Sequence, residues 1–389
     1  MTYGGGHAAA VMPVAKHLSG RWVVHTLALT TAPEAFRRAG LPVYTAQDFI
    51  RPSDYAQNSY GKILANRWHT PGKGISREES EAYLHLSMVD LVNEVGEDEA
   101  WRLIEQHGRQ RFLPVTLVAR VFDRVNPDVL LTTSAPRAER AALQVAKDRG
   151  IPSVRLEDLF GVNAVVRPEP SLWAAFSTIT ADNLVASGVP RGNIAVTGNP
   201  AFDSIEEIRA TQVEHLRSRL GLERRYTILW ASQQLPDSSA ILDELLGIAR
   251  GHPQWQLIVR PHPNEDVSKY EQVGRVAGGN VYLAGSHSIH GLIAISDLVI
   301  TQFSTVGLEA ALMGRDLITI NLSGRAEPLS YCQMGLALGV DELSQLLPTI
   351  KKVATSQSVR DTLSRIRRQL PAPGHATDNV VGLLSALAP

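Results

Sequence analysis

Short runs rich in Val, Ile, Leu and Thr alternate with helix-patterned segments, and this rhythm runs down the chain, halts once and begins again. In the first half, Arg21–Leu29 reads as a strand and "TAPEAFRRAG" as a short helix closed by Gly40. Pro127–Thr133 and Ile151–Asp158 read as further strands, with the helix "PRAERAALQVAKDRG" between them. The second-half strands are Tyr226–Ala231, Trp255–Arg260, Asn280–Gly285, Asp297–Phe303 and Asp316–Leu322, and Asp237 is placed to cap the helix after the first of them. Strands that are apolar throughout need cover on both faces, which helices in strand–helix–strand units provide. The fold class that follows is α/β, with parallel sheets.

The halt falls at Val196–Ile205, "VTGNPAFDSI", where Gly-Asn-Pro breaks the pattern. A chain of 389 residues also exceeds what one hydrophobic core normally serves. The expected division is residues 1–197, residues 198–357, and a helical tail, 358–389, packing back on the first domain. Arg51–Ala100 interrupts the first domain. It is polar and mixed in pattern, contains "RWHTPGKGISREE", and reads as an inserted lid or substrate loop.

Composition removes several function classes. Thirty-eight basic and 39 acidic residues nearly cancel, so nucleic acid is not an expected partner. A single cysteine, Cys332, supports neither a disulfide framework nor a cysteine-based zinc cluster. The sequence has no secretory signal and no apolar run long enough to span a bilayer, and it reads as a cytoplasmic chain. The basic stretch Arg360–Arg368 allows peripheral contact with the inner membrane face, against the simpler reading of a solvated helix face.

In open α/β sheets ligands bind outside the carboxyl ends of the strands, so the loops there are where chemistry is expected. Four stand out. The opening "GGGH" precedes a helix: Gly5 and Gly6 would let backbone N–H groups approach a ligand, and His7 suits a general base. It lacks the third glycine of a dinucleotide fingerprint, and "LALTTAP" offers no acid for a ribose, so a nicotinamide cofactor is not expected. Met1–Tyr3 is also too short for the strand of about five residues that such a loop follows. The expectation is a stunted strand or a start further upstream, and a loosely held loop. In "VRPHPNE", Arg260 and His262 follow a buried strand on a turn stiffened by two prolines, as suits a phosphate or a developing negative charge. In "TQFSTVGLEAALMG", Ser304 and Thr305 open a helix and Glu309 lies one turn in, placed either for a ribose or toward solvent. "SAPRAER" and "RLEDLFG" bring Arg137, Glu139, Arg140, Glu157 and Asp158 toward one edge, as a substrate site or as a set of salt bridges.

From Val196–Ile205 through "VRPHP" to "DLVITQFSTVGLEAALMGRDLITIN", the second half resembles the carboxyl domain of the GT-B superfamily. The nearest branches are the UDP-N-acetylglucosamine 2-epimerases and the glycerophosphotransferase-like and capsule-type glycosyltransferases. The resemblance implies two Rossmann-like domains facing across a cleft. It implies that Ser304 and Thr305 hold a diphosphate, that Glu309 holds the ribose, and that His262 lies at the phosphate or the reaction centre. "GGGH" matches the glycine loop of the acceptor domain, which makes His7 a catalytic candidate. The chain departs from the epimerases where Ser134 replaces an acid and "WASQQLP" replaces a histidine-arginine motif, while Glu157 keeps an acid position. Epimerisation at C2 needs those acid–base groups. The expectation is therefore a metal-independent glycosyltransferase without a cofactor. It would take a nucleotide-sugar donor, UDP-linked by resemblance, and a glycan or lipid-linked acceptor, in surface polysaccharide or glycoconjugate synthesis. Arg137 and Asp158 would lie on the acceptor side. The rivals are an epimerase or nucleotide-sugar hydrolase using Glu157, and a non-catalytic nucleotide-sugar-binding protein.

Overall fold

The computed structural model describes the chain except for residues 57, 71–73, 134–136, 158, 162–164, 166, 206–212, 263–264, 272, 274–278, 286, 328 and 389. The chain divides into two compact units, Met1–Asp203 with His375–Pro389, and Ser204–Gly374.

The first unit is built on four parallel strands in sequential order, β1 (Leu130–Thr132), β2 (Ser153–Glu157), β3 (Leu172–Ala175) and β4 (Ile194–Val196). Beyond β1 the sheet thins to single bridges. Thr2 pairs with Ala28 and Leu27 with Tyr44, both parallel. Arg21–Leu29, expected as a strand, is therefore extended chain that joins the ladder only at Leu27 and Ala28. The physical reason is that a strand needs partners along its length, and this segment finds them only at Thr2 and Tyr44. One face of β2 and β3 (Val154, Leu156, Ala174) packs on Ala10, Val14 and Leu18 of helix Gly6–Leu18 and on Val380 and Leu384 of helix Ala376–Leu387. On β1, Leu130 packs with helices Val115–Val125 and Ala138–Asp148. The returning helix is tied down by Asp203, whose carboxylate accepts from the N–H groups of Ala376 at 3.0 Å and Thr377 at 2.7 Å.

Arg51–Ala100, expected as a lid or loop, instead forms helices Tyr60–Trp68 and Arg77–Val95 and the start of Glu97–His107. They have a core of their own around Leu64, Met88, Leu91, Ile104 and Phe112. The segment looked polar because half of each helix faces solvent, and its apolar residues recur too irregularly to show as one stripe.

The second unit holds six parallel strands: β5 (Tyr226–Ala231), β6 (Trp255–Arg260), β7 (Val281–Leu283), β8 (Leu298–Thr301), β9 (Asp316–Ile320) and β10 (Leu338–Val340), in the order β10-β9-β8-β5-β6-β7. Ile228, Trp230, Leu257, Val259, Ile300 and Ile318 pack on helices Ser238–Gly251 and Leu346–Thr355. The alternate residues Leu229, Ile258, Val299 and Leu317 are also fully buried, so both faces are covered, as the unbroken apolar strands require. Asp237 stands at the N-cap of helix Ser238–Gly251 but makes no side-chain capping bond. Helix Gln357–Arg367 belongs to this unit, and only the segment from His375 returns to the first. Within it Arg360 donates to the carbonyls of Val353 and Ala354, and Arg367 to Asp316, so half of the four arginines in the basic stretch serve packing. No helix among the described residues is long and apolar enough to cross a membrane.

Candidate active-site residues

The opening loop of the first unit uses its glycines for three different reasons. A Cβ on Gly4 would lie 1.8 Å from Thr31 Oγ1, so no larger residue fits. Gly5 has φ +64°, a left-handed conformation that disfavours side chains, and forms the N-cap of helix Gly6–Leu18. A Cβ on Gly6 would meet nothing within 4 Å, so this is where the backbone is open to approach.

His7 lies in the first turn of that helix, partly buried. Its Nδ1 is 2.7 Å from Thr133 Oγ1, and that hydroxyl is 2.8 and 2.9 Å from the two carboxylate oxygens of Glu139. A hydroxyl carries one hydrogen. Thr133 donates it to the carboxylate and accepts from His7, which fixes the ring as its Nδ1–H tautomer and leaves Nε2 as the basic nitrogen. Thr133 and Glu139 are fully buried, and Glu139 sits in the first turn of helix Ala138–Asp148, where the helix dipole favours a negative charge. Sequence reading placed Glu139 near the edge but gave it no role, and it missed Thr133. The available signal was a threonine ending a strand six residues before a glutamate that opens a helix.

Arg137 is brought to the same loop. Its guanidinium lies 5.3 Å from the centroid of the Tyr3 ring, and its Nε is buried with no hydrogen-bond partner among the described residues. Tyr3 OH in turn is 2.9 Å from Tyr83 OH and accepts from Ala138 N at 3.2 Å. Burial, with Tyr83 beside it, pushes the Tyr3 phenol well above its ordinary range. Glu157, at the end of β2, is paired with Arg155 at 3.2 Å, both nearly inaccessible, and the Arg155 guanidinium lies 4.7 Å from the Trp173 ring centroid. Residues two apart share a face of a strand, which is why these charges meet. Asp158 and Ser134 lie outside the described residues.

In the second unit, Arg260 ends β6, donates from Nη1 to the Pro261 carbonyl at 3.0 Å, and keeps a buried Nε without a hydrogen-bond partner among the described residues. The turn after it is fastened by Glu265, which sequence reading overlooked in favour of the prolines. Glu265 accepts from His262 N at 2.8 Å and from Ser232 Oγ at 3.2 Å, and Tyr270 OH donates to Ser232 at 2.8 Å. Burial raises the Tyr270 phenol above its ordinary range.

Ser304 and Thr305 precede helix Val306–Leu312. Ser304 Oγ accepts from Val306 N at 3.2 Å, while the Ser304 carbonyl accepts from Tyr331 OH at 2.9 Å. Gly307 makes this possible, because a Cβ there would come within 3.0 Å of the Tyr331 ring. The Thr305 side chain makes no capping bond and is exposed. Glu309 does not face solvent: its Oε2 is buried, 2.8 Å from Nε2 of His290. The approach is not aligned as a hydrogen bond. His290 was not singled out from the sequence, where nothing connects it to a residue 19 positions on.

Among the described residues, no group of three or more His, Cys, Asp or Glu side chains is arranged to hold a metal ion. No protein-family model and no curated protein sequence matches the chain. Solved structures do, over nearly its whole length. The UDP-GlcNAc 2-epimerase from Neisseria meningitidis bound to UDP-GlcNAc superposes with a TM-score of 0.62 at 14% identity, covering 99% of this chain and 98% of that one. The glycotransferase of kitacinnamycin gives 0.64 at 14%, covering 100% and 98%. CalG4, the calicheamicin glycosyltransferase, gives 0.61 at 15%, again covering 100% and 98%. Two parallel-sheet units in one chain, matched end to end by enzymes of this architecture, identify the fold: the chain has the fold of the GT-B superfamily.

Proposed function

We propose that the chain is a nucleotide-sugar-dependent glycosyltransferase that works without a metal ion. The observation that carries this reading is the His7–Thr133–Glu139 relay, a partly buried imidazole held in one tautomer by a buried carboxylate. A base so oriented suits removal of a proton from an acceptor hydroxyl as its oxygen attacks the anomeric carbon. The bond to the leaving diphosphate then breaks, and the diphosphate carries away the electron pair. Arg260, His262, Ser304 and Thr305 are assigned to that developing charge, an electrostatic task. Glu309 is assigned to the ribose, in exchange for its contact with His290. Arg137, beside the His7 loop, is assigned to the acceptor side. The fold supports the reading, since neighbours with it include glycosyltransferases and an epimerase bound to UDP-GlcNAc. On this reading the donor is UDP-linked and the acceptor a glycan or lipid-linked sugar, in polysaccharide or glycoconjugate synthesis.

A UDP-N-acetylglucosamine 2-epimerase or nucleotide-sugar hydrolase is the second reading, and the likeness to epimerase structures favours it. The Arg155–Glu157 pair weighs against it, because that carboxylate is already committed to a buried guanidinium. A panel of UDP-sugars, each incubated with and without mixed glycan acceptors, separates the readings. UDP release that needs an acceptor, and that falls about 10²-fold or more in His7→Ala, supports the transferase. An isomerised or hydrolysed sugar formed without acceptor would instead establish the second reading. Tight nucleotide binding with no turnover, unaffected by His7→Ala, would show a binding protein.

A further inference from the structure

Two loops of the first unit meet at the carboxyl end of its sheet. Tyr3 leads into Gly4–His7, and Arg137 is the N-cap residue of helix Ala138–Asp148. Thr133 ties the loops together through His7, and Tyr3 OH ties them again by accepting from Ala138 N. Arg137 therefore shares with the His7 ring the end of the sheet where ligands bind in open α/β folds.

Two other enclosed arginines of this unit have carboxylate partners. Arg120 lies 2.6 Å from Asp54, and Arg155 lies 3.2 Å from Glu157. Arg137 has no such partner among the described residues. It lies over the Tyr3 ring, its Nε is buried and unpartnered, and its Nη nitrogens make no hydrogen bond there but stay accessible. Stripping part of the water from a guanidinium without supplying an anion is costly, and a ring face compensates only part of that cost. The accessible Nη pair is an edge that takes a carboxylate or phosphate through two parallel hydrogen bonds.

The tyrosines beside it hold a spare hydrogen. Tyr3 OH and Tyr83 OH are 2.9 Å apart, and Tyr3 OH already accepts from Ala138 N. Two hydroxyls carry two hydrogens, and only one can lie between them. The other has no acceptor among the described residues. Burial decides which it is: Tyr3 is 6% exposed and donates to Tyr83, and the partly exposed Tyr83 presents the remaining hydrogen.

We infer that Arg137 and Tyr83 form a subsite for one anionic group, a carboxylate or a phosphate, and that the acceptor is accordingly an acidic sugar or a sugar phosphate. Calling the ligand an acceptor rests on the transferase reading; the subsite itself does not. Arg137 supplies the charge and two donors, and Tyr83 supplies a third. The charged group is held at the loop ends while a hydroxyl of the same sugar faces Nε2 of His7. A neutral sugar leaves the guanidinium uncompensated, so the site discriminates by charge.

Calorimetric titration with three probes at one ionic strength tests this: methyl glucoside, methyl glucuronide and glucose 6-phosphate. In the wild type at least one charged probe should bind about tenfold tighter than the neutral one, and which of the two does so names the anion. Arg137→Met keeps a stem on the Tyr3 ring and should bring the charged probes to the neutral level. Arg137→Lys should retain part of the preference, because it keeps the charge without the fork. Tyr83→Phe should weaken the charged probe alone. UDP should not displace that probe. The inference is overturned if the three probes bind alike, if none binds at tens of millimolar, if Arg137→Met keeps the preference, or if UDP displaces the charged probe and so assigns Arg137 to the donor diphosphate. Charge-selective binding without UDP release in any acceptor assay supports the subsite and counts only against the transferase reading. UDP release at equal rates from neutral and charged acceptors overturns the subsite and leaves the transferase standing.

Discussion

At the scale of single residues, the first unit spends two fully buried polar groups on orienting one imidazole. If Thr133 only filled space, Thr133→Val would be nearly neutral, since the two side chains have similar shapes. If it bridges His7 to Glu139, the change breaks the relay and leaves a buried carboxylate short of a donor. We expect Thr133→Val to lower kcat about 10- to 100-fold with little change in KM, measured on the donor that the panel identifies. A second residue reports on stability. Glu79 is 8% exposed, and burial pushes its carboxyl from an ordinary 4.5 up to about 7. Between those values the folded state binds more protons than the unfolded state, so stability falls as pH rises from about 4.5 to about 7. Glu79→Gln should remove that slope, seen as a urea midpoint that varies less between pH 5 and pH 7 than in the wild type. An unchanged slope would mean that Glu79 is solvated. Neither relay nor buried glutamate was legible as such, because each depends on which groups the tertiary packing brings together.

At the scale of elements, strands and helices of the sheet layers were legible because their physical cause is local. A strand covered on both faces must be apolar throughout, and β5, β6, β8 and β9 lie within the runs that announced them. Two elements were not legible, for different reasons. Arg21–Leu29 has the composition of a strand, but a ladder needs partners along its length, and this segment has them only at Thr2 and Tyr44. The Tyr60–Val95 helices have weak stripes and are held by close approach instead. A Cβ on Gly61 would lie 2.3 Å from the Glu81 carbonyl and 2.8 Å from His85 Cβ. The same contact sets the His85 ring: Nε2 donates to Asp54 O at 2.9 Å and Nδ1 accepts from Gly61 N at 3.4 Å. Burial lowers the His85 pKa from its ordinary 6.5, as suits a neutral ring in that position. Gly61→Ala should therefore destabilise the chain by about 1–3 kcal/mol in urea unfolding, the range for overpacking, whereas Gly20→Ala, with nothing near its Cβ, should not.

At the scale of the whole molecule, the halt and restart of the strand–helix rhythm was enough to indicate two α/β units, and chain-long superposition on GT-B structures agrees. The route of the tail was harder to read. Helix Gln357–Arg367 stays with the second unit through Arg367 and Asp316, and only Ala376–Leu387 returns to the first through Asp203. Of the residues named from sequence, His7 and Arg137 gather at the opening loop. Arg260 and His262 share the turn fastened by Glu265, and Ser304 and Thr305 share a helix start under Tyr331. Their partners Thr133, Glu139, Glu265 and His290 came only with the structure. On the proposed function, the second unit holds a nucleoside diphosphate, with Glu309 on its ribose. A ligand that binds only the folded state raises the melting temperature by mass action. The most direct measurement is therefore a thermal-shift panel of UDP, CDP, GDP, CMP and several UDP-sugars on wild type and Glu309→Ala. One nucleoside diphosphate, UDP first, should stabilise the wild type, and the variant should lose most of the shift. No shift with any nucleotide at millimolar concentration, or an equal shift in both proteins, would contradict it.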